Sequence, residues 1–326
     1  MKILKYKHIF LGISAFLVLL SIGLISYFGF NLGIDFKGGT VYEIKYNQNI
    51  PALEEVKTAV SEAGIQNASV QRLGENEFVI KAPDLSDDKK TELDQKLTLN
   101  NQYNFEPVQL KSISPSVSFE FINKSIWAII LVSIIIVLFI AYVFSGVSRP
   151  VSSYKYGLIA IVALLHDVII PTGIFALLGA YFVEYQIDVL FVTAILAILG
   201  YSVNDTIVVF DRVRENLKLA NNGKGIKGKK FEEIVGKSLE QTIRRSVFTS
   251  LTTLIVIGFL YFMGGENTKP FALVLAIGVI AGTYSSIFVA SPLLVYVEKY
   301  WKSKDVDKKD RKEMTEDELV EELTRL

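Results

Sequence analysis

Cysteine is absent from the chain, and histidine occurs only twice, at His8 and His166. The first absence excludes disulfides, thiolate metal sites and a cysteine nucleophile. The second excludes a multi-histidine zinc site. Net charge is also lacking: 34 Lys and Arg balance 34 Asp and Glu, so there is no overall basic field to suggest a nucleic-acid partner. The segment GKGIKGKK at 223–230 approaches the phosphate-loop pattern GxxxxGK[ST]. Lys230 stands where the magnesium-binding hydroxyl belongs, and no strand precedes the segment, so no nucleotide site is expected. It reads instead as a flexible basic loop able to touch anionic lipid.

What the chain has in quantity is apolar sequence. Hydrophobic residues make up 51% of it, and the mean hydropathy is +0.38. That balance predicts a polytopic α-helical membrane protein. Six apolar runs are long enough to span a bilayer: residues 9–30, 126–144, 156–182, 189–210, 247–263 and 271–297. The first exceeds a signal-peptide core and has no small-x-small cleavage site before Asn31, so it reads as an uncleaved anchor. Lys and Arg concentrate in the N-terminal tail, in the 145–155 loop, in the segment after span four and in the C-terminal tail. By the positive-inside rule both termini are cytoplasmic, and residues 31–125 lie outside. The expected division is therefore 1–30 (tail and first span), 31–125 (external domain), 126–298 (spans two to six, with a basic cytoplasmic loop at 211–245) and 299–326 (charged cytoplasmic tail). The tail's mixed charges suggest a solvated helix without chemistry.

Between the first two spans the pattern becomes that of a soluble domain. GTVYEIKY at 39–46 alternates as a strand, and Pro51 opens a helical run that ends at Gly64. ASVQRL and EFVIKA read as strands joined by a turn at 74–76. Ser86 can cap a helix over DDKKTELDQKL, and YNFEPVQLKSI can supply a last strand. The order βαββαβ matches the ferredoxin-like split motif. That fold serves equally as a scaffold or as a surface touching an emerging polypeptide or a partner subunit.

The polar residues inside the spans are the functional candidates. Asp205 follows Asn204 and precedes Thr206 in an otherwise apolar run. A carboxylate at that depth costs about 2.5–3.5 kcal/mol on insertion scales, and such groups bind ions, relay protons or hold a partner helix. Low dielectric favours the protonated carboxyl, and a nearby Arg favours the ionised one, so a moving Arg can load and unload a proton. Arg244 and Arg245 head span five. Both could snorkel to the interface; the favoured reading turns Arg245 inward on a stripe with Thr249, Thr252 and Thr253. His166 and Asp167 sit in span three as an auxiliary polar pair, either a proton site or a packing network. Adjacent helical residues point about 100° apart and need not bond each other. Pro171 removes the hydrogen bond to the Asp167 carbonyl and predicts a kink there. Asp211, Arg212, Arg214 and Glu215 suggest an ion-pair network at the end of span four. Gly278, Gly282 and Ser286 form a small-residue stripe for close helix packing.

Several motifs together resemble one family. LGIDFKGGT at 32–40 is similar to the LGxDFxGG signature of the SecD/SecF family. ALLHDVIIPTGIFALLG in span three, GYSVNDTIVVFDRVREN at 200–216, SLEQTIRRSVFTSLTTL entering span five and GTYSSIFVASPLL in span six resemble its SecF branch. So does the layout of six spans with one large loop after the first. The resemblance implies a non-enzymatic translocase subunit of the bacterial cytoplasmic membrane, related to half-size resistance-nodulation-division transporters. It would pair with SecD and assist the SecYEG channel and SecA, with YajC and YidC as further neighbours. Its cargo would be unfolded preprotein on the outer side. It implies no cofactor beyond the coupling ion, a proton, or sodium in some marine species. It places Asp205 and Arg245 in the ion pathway, and Asp35, Gly38 and Gly39 in the external signature. Ser246 replaces the usual Thr after the key Arg, and Arg244 replaces His or Ser. The rival reading is a half-size exporter of a small molecule or lipid.

Overall fold

The structure is a computed structural model. It describes residues 2–47, 49–82, 85–99, 102–144, 153–182, 184–220, 229–265 and 268–299. Arg149, Glu266, all but the last two residues of the 221–230 insertion, and the tail from residue 300 lie outside the described residues.

A short helix α1 (Lys2–Lys5) leads into α2 (Lys7–Phe28), which is followed by a single turn, α3 (Ile34–Lys37). Then come β1 (Gly39–Tyr46), α4 (Leu53–Glu62), β2 (Ser69–Leu73), β3 (Glu77–Ala82), α5 (Asp87–Leu97) and β4 (Phe105–Ile113). The remaining helices are α6 (Pro115–Val143), α7 (Ser153–Tyr181), α8 (Val189–Ala220), α9 (Lys229–Met263) and α10 (Thr268–Ser285). A π-helical turn, Ser286–Ala290, continues α10, and this last span runs to Lys299. Among the described residues six helices are long and apolar enough to cross a membrane; α6 begins at Pro115, well before the expected residue 126, so its first turns belong to the segment expected as external domain, and two further helices overrun their expected spans at the other side of the bundle. There, α8 runs on to Ala220 and α9 begins at Lys229. Residues 211–245, expected as a loop, are therefore mostly helix: the change from apolar to charged residues ended the span but not the helix.

The small domain follows the expected βαββαβ order, with strands arranged β2-β3-β1-β4 and every neighbouring pair antiparallel. Alternation along β1 sends Tyr42, Ile44 and Tyr46 into a core with Val56 and Val60 of α4 and Leu93 and Leu97 of α5. The tyrosine hydroxyls are satisfied there, Tyr42 donating to Asp94 at 2.8 Å and Tyr46 to the Leu97 carbonyl at 3.0 Å. Ser86 caps α5 as expected, accepting from the Lys89 amide.

In the bundle, α7, α8 and the last span are the most enclosed, while α2, α6 and α9 present mostly exposed apolar surface. The close approaches come from glycine. A Cβ on Gly278 would lie 2.2 Å from Ile198, and one on Gly282 would lie 2.9 Å from the Ser202 Cβ, so the stripe on α10 packs against α8 of this same chain. Gly173 of α7 meets Ser21 of α2 in the same way. Pro171 sits inside the continuous helix α7.

Candidate functional site

Asp205 lies near the middle of α8, half-buried among three helices. Its two oxygens accept from two hydroxyls: Ser246 of α9 donates to Oδ1 and Ser286, the first residue of the π turn, donates to Oδ2. One turn away the polar contacts continue, Tyr201 donating to Ser250 at 3.1 Å and Ser250 bonding Thr283. The residues flanking Asp205 do not bond it. Asn204 is exposed on the helix surface, and Thr206 is buried.

Arg245 is exposed, as is Arg244. Among the described residues no ion pair joins Arg245 to Asp205; the hydroxyl of the adjacent Ser246 reaches the carboxylate instead. Thr249 and Thr252 are exposed too, and the hydroxyls of Thr252 and Thr253 bond back to the Thr249 carbonyl. Ser286, expected only to pack, is a ligand of the acid.

The second polar pair lies across α8. His166 and Asp167 are both buried, and although their angular separation did not require it they meet: His166 Nδ1 lies 2.9 Å from Asp167 Oδ1. Asp167 Oδ2 accepts from Ser202 of α8 and, at 2.8 Å, from Ser285 of α10.

At the far end of α8, Arg212 pairs with Glu215 at 2.6 Å and Arg214 with Asp211 at 3.3 Å. Arg212 and Asn216 both donate to Gln241 of α9, at 2.7 and 2.8 Å. These exposed pairs contribute little individually, but the shared Gln241 fixes α8 against α9. On the same side Lys155 of α7 pairs with Glu298 of the last span at 3.0 Å, both buried. Sequence patterns gave no sign of that contact.

The glycine motif has a structural reason. Gly38 and Gly39 have φ of +78° and +142°. They admit the chain to β1 between the Ile113 and Ala82 carbonyls, which a Cβ would meet at 3.2 and 2.5 Å. Asp35 accepts from the Val189 amide at 3.3 Å, at the start of α8. Gly33 donates to the Ile187 carbonyl at 2.9 Å, and Ile187 donates to Asn31 at 2.8 Å. The motif therefore clips the root of the small domain to the 184–188 connection before the site-bearing helix.

Asp188 belongs to this clip. It accepts from the Phe191 amide at 2.8 Å. Burial raises its carboxyl above the usual carboxylate range, the Phe191 bond and Lys81 oppose this, and Asp35 adds to it. The folded clip thus binds the proton more tightly than the open chain. That contribution is complete below the ordinary carboxylate pKa and is lost as pH rises through the raised value. Asp188→Asn keeps the cap and removes the titration. Thermal melts from about pH 4 upward should fall less steeply with pH in the variant than in the native protein; equal slopes would show that Asp188 does not titrate.

Comparisons with known proteins identify the family. The family described as protein export membrane protein SecD/SecF, C-terminal, matches residues 93–300, and the SecD/SecF GG motif matches 25–50. A protein translocase subunit SecF from Thermobaculum terrenum is 40% identical over 93% of this chain and 94% of its own length. One from Desulfurispirillum indicum is 37% identical over 87% and 88%. Among solved structures, the crystal structure of SecDF from Thermus thermophilus superposes with a TM-score of 0.75 at 31% identity, covering 92% of this chain. The chain spans 39% of that longer protein. With both family models matched, and 32–40% identity over most of the chain to several translocase subunits named SecF, the chain belongs to the SecF side of the SecD/SecF family of protein-export membrane proteins.

Proposed function

We propose that this chain joins a SecD subunit in the bacterial cytoplasmic membrane and converts ion flow past Asp205 into a pull on, or release of, preprotein at the outer face. The observation that carries the reading is the setting of Asp205: a carboxylate in a membrane-spanning helix, held by neutral hydroxyls from two other spans and, among the described residues, by no cation. Such a group accepts and releases a proton without breaking an ion pair. One charge crossing 100 mV yields about 2.3 kcal/mol, enough to bias a conformational step. H⁺ is the coupling ion of first choice, with Na⁺ as the alternative. In this reading Arg245, which is exposed beside Ser246, acts from the edge of the pathway or toward SecD.

The bundle and the domain divide the work. Residues 1–30 and 126–298 form the membrane part with both ends cytoplasmic, as the Lys and Arg distribution supports. The ferredoxin-like domain within 31–125 faces outward, where preprotein emerges, and the clip from Asp35 to α8 ties it to the site. The helical extensions at 211–245 and the charged tail 299–326 face the cytoplasm, beside SecYEG, SecA, YajC and YidC. No nucleotide is consumed by this subunit.

The test is preprotein translocation into inverted vesicles that contain SecYEG, SecA and SecD, with and without this chain. A proton gradient should increase translocation only when the chain is present. A response to a sodium gradient alone would assign the other ion. No gradient effect of either kind would remove the coupling reading. Gradient-driven efflux of a small solute that needs no SecYEG would favour a half-size exporter.

A further inference from the structure

The bundle contains a second buried carboxylate that the pathway past Asp205 does not use. Asp167 is fully enclosed, and its three donors are neutral or weakly basic: His166, Ser202 and Ser285. The facing groups from the packed elements are few. α2 offers Ser14, α8 offers Ser202, and α10 offers Ser285 and the Tyr284 ring, stacked on His166 at 6.1 Å. Among the described residues no Lys or Arg forms an ion pair with either member.

The outer edge of His166 is what makes this more than packing. Its Nδ1 is engaged by Asp167, while Nε2 is buried without a hydrogen-bond partner among the described residues. His166 lines an apolar cleft of about 430 Å³ between α2, α7 and the last span, together with Ser14, whose hydroxyl is likewise unpartnered. Both polar atoms lie buried beneath the apolar lining of the cleft, so a water or proton carrier reaches them when the lining side chains shift. With Nδ1–H donating to Asp167, Nε2 is left with a buried, unpartnered lone pair.

The serines supply the link. Ser285 has two acceptors in reach, Asp167 Oδ2 at 2.8 Å and the Gly282 carbonyl at 3.1 Å. Ser286 repeats the arrangement with Asp205 and the Thr283 carbonyl at 3.0 Å. Each hydroxyl can thus donate to an ionised carboxylate, or turn to the carbonyl and accept the hydrogen of a protonated one. The two are consecutive residues, at the junction of α10 with the π turn. Ser202 and Asp205 also share one turn of α8.

We propose that His166 and Asp167 form a second proton-binding site, coupled to Asp205 through Ser285 and Ser286. A proton entering from the cleft binds Nε2 as the Nδ1 proton passes to Asp167 Oδ1, leaving a neutral imidazole and a carboxylic acid. With the carboxylate neutralised, the Ser285 bond to Oδ2 loses its charge assistance and Ser285 shifts toward the Gly282 carbonyl, a change felt at the neighbouring Ser286 and its bond to Asp205. The coupling rests on the reading of Asp205 as a proton site.

The experiment uses the purified full chain in lipid nanodiscs and needs no translocation. Because only two histidines exist, His8→Gln leaves one labelled imidazole, and its ¹⁵N spectrum reports His166 directly. On titration the imidazole should stay neutral and exchange tautomers, its proton moving from Nδ1 to Nε2, and Asp167→Asn should abolish that exchange. Infrared carboxyl bands, assigned by their loss in Asp205→Asn, should show the Asp205 titration moving by about one pH unit or more in both Asp167→Asn and Ser285→Ala. Ser285→Ala guards against misfolding of the Asp variant. An imidazole that stays in one tautomer throughout the titration overturns the site. A tautomer exchange with an unmoved Asp205 band overturns the coupling. Neither result depends on whether a gradient drives translocation, so this inference and the proposed function can fail separately.

Discussion

Asp205→Asn is expected to abolish the gradient-dependent part of translocation while leaving the SecA-driven part, the folded bundle and SecD association in place. The geometry makes this substitution unusually clean. Asn has the outline of Asp, and its carbonyl oxygen can accept from one of the two serines. The other serine can accept from the amide: Ser286 already has the Thr283 carbonyl at 3.0 Å as an alternative for its own hydrogen. The three-helix contact therefore survives and only proton exchange is lost. Forfeiting one charge across 100 mV removes about 2.3 kcal/mol, a factor on the order of 40 in an equilibrium. Translocation assays with and without the gradient, alongside co-purification with SecD, separate the outcomes. Intact stimulation would remove Asp205 from the pathway, and loss of SecD from the purified complex would mark it as an anchor.

Gly39→Ala should do comparable damage by a different route. The new Cβ would lie 2.5 Å from the Ala82 carbonyl oxygen, a backbone atom that cannot swing aside, and φ at +142° is unfavourable for alanine. The conformational term alone is about 1–3 kcal/mol. The overlap adds to it at the start of β1, which carries both β3 and β4. The small domain should open while the six long helices persist, seen as rapid hydrogen exchange and new protease cuts confined to residues 39–113. Gly74→Ala is the control: φ is +71° and nothing lies within 4 Å of the added carbon, so only the strain applies. If both variants behave alike, steric contact with Ala82 is not what the motif's second glycine avoids.

Much of the architecture could be read from the chain because it follows from repeating patterns. Runs of apolar residues named the six spans, and period-two alternation named the strands, with Tyr42, Ile44 and Tyr46 on one face. Asp205 stood out because a carboxylate in such a run is costly. Its ligands did not stand out. Ser202, Ser246, Ser285 and Ser286 look like small packing residues in the sequence, and only the docking of α9 and α10 on α8 brings their hydroxyls to the two acids. The serine pair at 285–286 was the one local hint. Arg245 drew attention through its charge, yet the neighbouring Ser246 is the residue that faces inward. The charged stretch 211–245 misled in the opposite sense. Loss of hydropathy ended the spans but not the helices, because Arg212 and Asn216 find Gln241 on the facing helix. Likewise nothing local reveals that Asp35 and Gly33 grip residues 187–189, about 150 positions along.

The π turn at Ser286–Ala290 holds one residue more than an α-helical turn would. Its basis is visible downstream: Pro292 offers no amide to the Phe288 carbonyl, and Ser291 Oγ reaches back to the Ser286 carbonyl at 3.2 Å. An extra residue in a helix is a phase offset stored in the backbone. If the wide turn tightened to an α turn, everything on one side of it would rotate by about 100° relative to the other. Ser285 lies on the upstream side with the Gly278–Gly282 face packed on α8, and Ser286 opens the wide turn. The boundary between the two acids' ligands is thus also the point at which the helix can change phase. A rotation there would strip Asp205 of one hydroxyl and leave Asp167 with all of its own, turning the last span into a selector between two acids that one helix otherwise serves together.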